Sequence, residues 1–264
     1  LASIAFFLLV PGLASAQPAN SDCSTAALLC AQQGVAGNNT GANGPVPAFC
    51  QPGGNQVWYT FTTNSQGGAV TASVNGINCP AVGGMDDELS VAVLSGSATC
   101  NPALFSAVSA CASENQGFSV STQALAPNTQ YWVVVSGVQD GGSTSPAQCD
   151  FTVNVSGAGV DVVGIDFDAG PDVEIPQGGA TQLSATGGAT FDWSPTSGLS
   201  GNGIADPIAN PSSTTVYSVT TTINGCTFTD TVVVEVVRLV NPPNTFSPNA
   251  DGRNDTWEVP GIQD

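Results

Sequence analysis

Six stretches in the first 157 residues alternate apolar and polar side chains at period two. They are QVWYTFTT (56–63), AVTASVN (69–75), ELSVAVLSG (88–96), GFSVSTQAL (117–125), QYWVVVSG (130–137) and CDFTVNVSG (149–157). Successive side chains of a strand point to opposite faces, so each stretch reads as a half-buried strand, and the Gly, Asn and Pro between them supply turns. Six or more such strands make a sandwich. The chain is 264 residues long, which at about 100 to 200 residues per domain gives room for about two small domains and a tail. The expected fold is all-β: a jelly-roll-like sandwich over 17–157, a second sandwich over 165–237 and the start of a third β domain over 244–264.

Charge narrows the partners. Twenty carboxylates face two arginines, Arg238 and Arg253, with no lysine and no histidine, and the formal net charge is −18. Neutralising phosphates takes clusters of Lys and Arg, so nucleic acid is excluded as a partner, and anionic membrane surfaces are excluded likewise. Divalent cations suit such a surface, and calcium is the metal to look for.

The first residues read as a targeting segment. An apolar run (Ile4, Phe6 to Val10) is broken at Pro11-Gly12 and closed by Ala14-Ser15-Ala16, which is an h-region followed by a small-residue cleavage site. Residues 1–16 are therefore expected to be a signal peptide, with the mature chain starting near Gln17 and destined for the medium or the outer cell surface. With no Met and no basic residue before Leu1, a few N-terminal residues are expected to be missing. No later stretch approaches the ~20 apolar residues of a membrane span.

Eight cysteines in an exported chain predict disulfides, because a zinc site without histidine needs close CxxC pairs and none is present. Cys100 and Cys111 bracket a segment between two strand-like runs, and the predicted pairing joins them across a hairpin. The other six have no predicted pairing. Cys226 stands alone in the second half, so at least one cysteine of the first module is either free or paired across the modules.

Three resemblances add to this reading. In the first module, a cysteine-bearing N-terminal segment, a W-Y-T-F-T strand, D-x-x-L-x-V and a closing Y-W-V-V-V-x-G run resemble pre-peptidase C-terminal-like and CUB-like jelly-roll modules. From 165 to 237, the A-G-P-D opening at 169–172, the isolated Trp193, the S-T-T-V-Y-S-V-T run and the final T-D-T-V-V-V-E-V strand resemble PKD-like or Ig-like repeats of bacterial surface proteins, although the F-G-D-G turn of the PKD pattern is missing. Trp193 then reads as a core residue, with ligand stacking as the alternative. The last segment resembles the opening of the gliding-motility-associated C-terminal domain, the sorting module read by the type IX secretion machinery. Phe246, Ser247, Pro248, Asn249, Asp251, Gly252, Asn254, Asp255 and Trp257 match its pattern, with Ala250 where the family often has Gly. That resemblance implies export by the type IX machinery, and it implies that the remainder of the module lies beyond Asp264.

No catalytic constellation can be assembled from what remains. Without His or Lys the Ser-His, Cys-His and Ser-Lys arrangements are unavailable. Asp168-Ala169-Gly170 lacks the hydroxyl of an aspartic-protease motif, and glycosidase chemistry needs two carboxylates about 5 to 9.5 Å apart across a cleft. Calcium makes better use of the oxygens. Asp86, Asp87 and Glu88 open a strand after a Gly-Gly-Met loop and form one candidate site, with a solvated loop as the alternative. Counting a twelve-residue loop from Ser247 puts Asn249, Asp251, Asp255 and Glu258 at EF-hand ligand positions and Gly252 at the bend, with an Asx turn as the alternative. The expectation is a non-catalytic exported protein whose first module binds an extracellular carbohydrate or protein. An accessory region of a secreted hydrolase and a structural stalk are the competing readings.

Overall fold

The computed structural model describes residues 17–43, 50, 53–97 and 99–238. The expected signal peptide (1–16) and the expected sorting segment (244–264) lie outside the described residues. The chain divides into two units, Leu1–Asp161 and Val162–Asp264, and both are all-β.

Ten strands build the first unit: β1 (Ala27–Leu28), β2 (Val35–Asn38), β3 (Gly53–Thr62), β4 (Thr71–Asn78), β5 (Leu89–Ser95), β6 (Ser106–Ala107), β7 (Ala112–Glu114), β8 (Phe118–Ser121), β9 (Gln130–Val138) and β10 (Asp150–Ser156). One sheet runs β1-β3-β9-β5-β6, with β7 also paired to β5, and the other runs β2-β10-β4-β8. Except for the β5 to β7 run, successive strands from β2 to β10 cross between the sheets, which is the winding of a jelly roll. The sheets share one core. Val57, Tyr59 and Phe61 of β3, Val91 and Val93 of β5, and Val133 and Val135 of β9 meet Val74 of β4 and Phe151, Val153 and Val155 of β10. Gly37 of β2 lies so close to the Tyr59 hydroxyl and the Phe151 ring that a Cβ there would overlap both. Burial pushes the Tyr59 hydroxyl pKa up to about 12 against the opposing effect of a hydrogen bond with Asn20.

Three strands depart from the half-buried expectation. β9 is buried without interruption from Tyr131 to Val138, and β5 from Leu89 to Leu94. The face of β3, β5 and β9 that points away from the other sheet carries Trp58, Ala92, Leu94, Trp132 and Val134, and it is roofed by Cys23 and Phe105. A strand covered on both sides loses its polar alternation. The run W-V-V-V at 132–135 already carried that signal.

The predicted Cys100–Cys111 pairing is incorrect. Cys100 bonds Cys23, Cys111 bonds Cys50, and Cys79 bonds Cys149. The hairpin register explains why: β7 pairs with β5 so that Ala112 faces Val91, which brings Cys111 alongside Ala92 in the middle of β5, whereas Cys100 follows the end of that strand at Ser95. Cys50 Sγ lies 3.9 Å from the Val91 carbonyl, next to the position along β5 where Cys111 arrives. No cysteine among the described residues is free.

The second unit is a smaller sandwich. Its strands are β11 (Val173–Pro176), β12 (Thr181–Gln182), β13 (Asp192–Ser194), β14 (Ile208–Ala209), β15 (Thr215–Ile223) and β16 (Cys226–Val237). A sheet of order β11-β16-β15-β13 faces the β12-β14 pair. Asn224 and Gly225 join β15 to β16 with φ of 51° and 82°, the positive values a two-residue primed turn requires. The pleat then holds Tyr217, Val219, Val232 and Val234 inward against Trp193, Ile175 and Phe167. Trp193 is a core residue: it is 1% exposed, and its indole N–H donates to the Ile204 carbonyl at 2.9 Å. Trp193→Ala should therefore destabilise this unit by about 3 to 5 kcal/mol, read as a lower midpoint in urea. A change under 1 kcal/mol would remove Trp193 from the centre of the packing.

Candidate functional site

Of the sequence-predicted cation ligands, Asn249, Asp251, Asp255 and Glu258 lie outside the described residues. Asp86, Asp87 and Glu88 are described. They sit on the loop that leads from β4 into β5, against the loop that leaves β9. Gly84 takes a φ of 81°, and Gly141 and Gly142 take 55° and 92°, so both loops turn through backbone that side-chain-bearing residues rarely adopt. The Gly84 carbonyl accepts from the Thr144 N–H at 2.7 Å and from the Thr144 hydroxyl at 3.0 Å, and the Asp86 N–H donates to the Ser145 carbonyl at 3.1 Å.

Asp86 is the centre of this contact. One carboxylate oxygen accepts from the backbone N–H groups of Asp87 at 2.8 Å and Glu88 at 3.2 Å. The other accepts from the Asp140 N–H at 2.8 Å and the Ser143 hydroxyl at 2.9 Å, across 54 and 57 residues of chain. Asp140 and Ser143 were missed by sequence reasoning. The available signal was the turn D-G-G-S at 140–143, whose Asp N–H and Ser hydroxyl are natural partners for a facing carboxylate. Asp87 takes a longer contact, 3.4 Å, from the Asn115 amide.

Electrostatics separate the neighbours. Burial works to raise the Asp86 carboxyl pKa, but the donors from Asp140, Ser143, Glu88 and Asp87 together outweigh it and hold the pKa below its ordinary value. Glu88 moves the other way: burial raises it first, and the charges of Asp140, Asp86, Asp87 and Glu114 add to the rise. Asp86 is thus an ionised clasp with its oxygens engaged, and Glu88 is the carboxylate that most resists ionisation beside it. Asp86, Asp87 and Glu88 are not gathered to one point. Among the described residues, the group of three whose ligand atoms fall within 4.8 Å of one another is Asp22, Cys23 and Cys100. The two sulfurs of that group are joined in a disulfide, so it offers no thiolate to a metal.

No family model matches the chain, and no curated protein matches it. Among solved structures it is similar to the M60 catalytic domain with the CBM51-1 and CBM51-2 domains from Clostridium perfringens ZmpB, at 9% identity and a TM-score of 0.21 over 71% of this chain and 19% of that one. It is also similar to extracellular domains 3–5 of Drosophila OTK, at 9% identity and a TM-score of 0.26 over 70% of each chain. Neither likeness bears on what this chain binds. No helix among the described residues is long and apolar enough to cross a membrane.

The two carboxylates should respond oppositely to pH. A depressed folded pKa stabilises above the unfolded value and that contribution is lost as pH falls through the folded one; a raised pKa makes ionisation destabilising, and that cost is relieved as pH falls through the raised value. Asp86→Asn should lower stability at pH 7 by about 1 to 3 kcal/mol, with the deficit shrinking below about pH 4. Glu88→Gln should raise it at pH 7, with the gain lost at higher pH than the Asp86 deficit, as pH falls through the raised Glu88 value toward the ordinary glutamate pKa of about 4.3, and absent at pH 3. Denaturant melts of both variants at pH 7 and pH 3 check the pair, and a stabilising Asp86→Asn at pH 7 would refute the clasp.

Proposed function

We propose that this chain is a non-catalytic exported protein whose first unit binds an extracellular carbohydrate or protein and whose second unit serves as a spacer. The observation that carries the proposal is the disulfide framework of the first unit, with three bridges inside one jelly roll. Disulfides persist in oxidising surroundings and are rare in the reducing cytosol, which supports an extracellular setting. A sequence with no histidine and no lysine supports a binding role over a catalytic one, because imidazole bases and lysine nucleophiles are unavailable to it. The match of Phe246 to Trp257 with a type IX sorting module supports the export route and names the secretion machinery as a second partner.

Two measurements test this reading. A glycan array probed with the purified chain should give saturable binding that survives removal of the second unit, and an array and an extracellular-protein panel that both stay blank would leave the stalk reading in its place. For the route, deleting everything beyond Val240 in the producing cell should retain the protein inside. Unchanged secretion of that truncated chain would sever the sorting segment from export.

A further inference from the structure

The outer layer of the first unit is built differently from the core between its sheets. On the sheet side it presents Trp58, Ala92, Leu94, Trp132 and Val134, and its cover contributes two buried side chains, Cys23 and Phe105. The cover is two short segments, each folded largely on itself. Residues 22–26 form a 3-10 turn closed by Thr25 N–H to the Asp22 carbonyl at 3.0 Å and Ala26 N–H to the Cys23 carbonyl at 3.4 Å. The second segment closes by Cys100 N–H to the Ser97 carbonyl at 3.0 Å and Leu104 N–H to the Asn101 carbonyl at 2.9 Å. The first segment is tied to β3 through Asn20: the Trp58 N–H donates to the Asn20 carbonyl at 2.7 Å, and the Asn20 amide donates to the Trp58 carbonyl at 3.0 Å.

The fastening is covalent. Cys23–Cys100 joins the two segments to each other directly above the layer. Cys50 and Cys100 pack against it, and Cys50 is bonded to Cys111, which leads into β7. The third bridge belongs elsewhere: Cys149 lies in the core between the sheets, and Cys79 packs against that core. The layer also contains a cost. Trp58 is 1% exposed, and its indole N–H has no hydrogen-bond partner among the described residues. An unpaired buried donor is destabilising, and opening the layer would give it water.

We infer that residues 20–26 and 99–105 are a cap latched by Cys23–Cys100, and that a dithiol reductant opens it while the jelly roll stands. A thiolate of the reductant attacks one sulfur of that bridge, displaces the other as a thiolate and forms a mixed disulfide. The second thiolate of the reductant resolves it, leaving two protein thiols and one oxidised reductant. Opening removes the roof over Trp58 and Trp132, whose rings each lie 5.2 Å from Phe105. The inter-sheet core, with Cys79–Cys149, is not part of the latch.

Hydrogen exchange on the full chain tests this, comparing the unmodified protein with the variant C23S/C100S, which keeps Cys50–Cys111 and Cys79–Cys149. Amides of 20–26 and 99–105 should exchange at least about tenfold faster in the variant, while those of β4, β9 and β10 keep their protection. Tryptophan emission should shift to the red. Unchanged exchange in the cover overturns the inference, and so does loss of protection across β4, β9 and β10 together, including outright failure to fold. Stepwise reduction of the unmodified chain with dithiothreitol, trapped by alkylation, gives an independent reading. Cys23–Cys100 should open first with the far-ultraviolet circular dichroism retained, whereas any other bridge opening first, or loss of that signal with the first bridge, overturns it.

Discussion

The first unit depends on a sheet that is apolar on both faces. β3, β9 and β5 lie at its centre, and each buried valine, leucine or aromatic side chain on them contributes about 1.5 to 3 kcal/mol. A two-sheet sandwich can bury only the inward face of such strands. The outward face, with Trp58 and Trp132, obliges the chain to provide a third layer, and it does so with the segment before β1 and the segment after β5. Neither forms a regular element large enough to hold its place by packing alone. The pairing of Cys23 with Cys100 follows from that need, since it joins the two covering segments to each other over a span of 77 residues.

A second constraint is the near absence of cations. Where many proteins tie loops with Lys or Arg against carboxylates, this chain ties them with carboxylates and amides against backbone N–H groups. Asn39 is fully buried, accepts from the Cys149 N–H at 2.7 Å and donates to the Ala147 carbonyl at 3.0 Å. Asn64 accepts from the Gly67 N–H at 2.8 Å and donates to the Ala158 carbonyl at 2.7 Å, joining segments 94 residues apart. In the second unit Asp172 accepts from the Val233 N–H at 2.7 Å and Asp230 from the Ala169 N–H at 2.8 Å. Asp86 belongs to this set. Hydrogen bonds to an ionised acceptor contribute more than neutral ones, so a carboxylate placed among N–H donors holds a loop without any cation.

The legible part of this architecture was the local part. Period-two runs in the sequence located β3, β4, β5, β8, β9 and β10, and the isolated Trp193 marked the core of the second unit, because pleating and burial act residue by residue. What was not legible depends on register between distant segments. β1, β2, β6 and β7 are two to four residues long and have no periodicity to read. The disulfide pairing failed for the same reason: that Cys111 falls alongside Ala92 in the middle of β5 follows only from the Ala112–Val91 register. At the candidate site the acidic run at 86–88 was visible, but its partners Asp140 and Ser143 come from a loop more than fifty residues away.

Charge and crosslinking then belong to one physical argument. A net charge of −18 resists compaction, and in salt of about 0.15 M that repulsion is screened beyond roughly 8 Å but persists between neighbours such as Asp86, Asp87 and Glu88. Ion pairing cannot offset it with two arginines. A disulfide acts on the unfolded chain instead, and in the chain-entropy account a loop of 61 to 77 residues is stabilised by about 4 kcal/mol whatever the surface charge. Three such bridges with long spans therefore suit an acidic domain better than three short-range ones, because the restriction grows with the loop enclosed. The same choice leaves the fold exposed to a chemical signal that charge pairing would not register, since a stability supplied by sulfur disappears when sulfur is reduced.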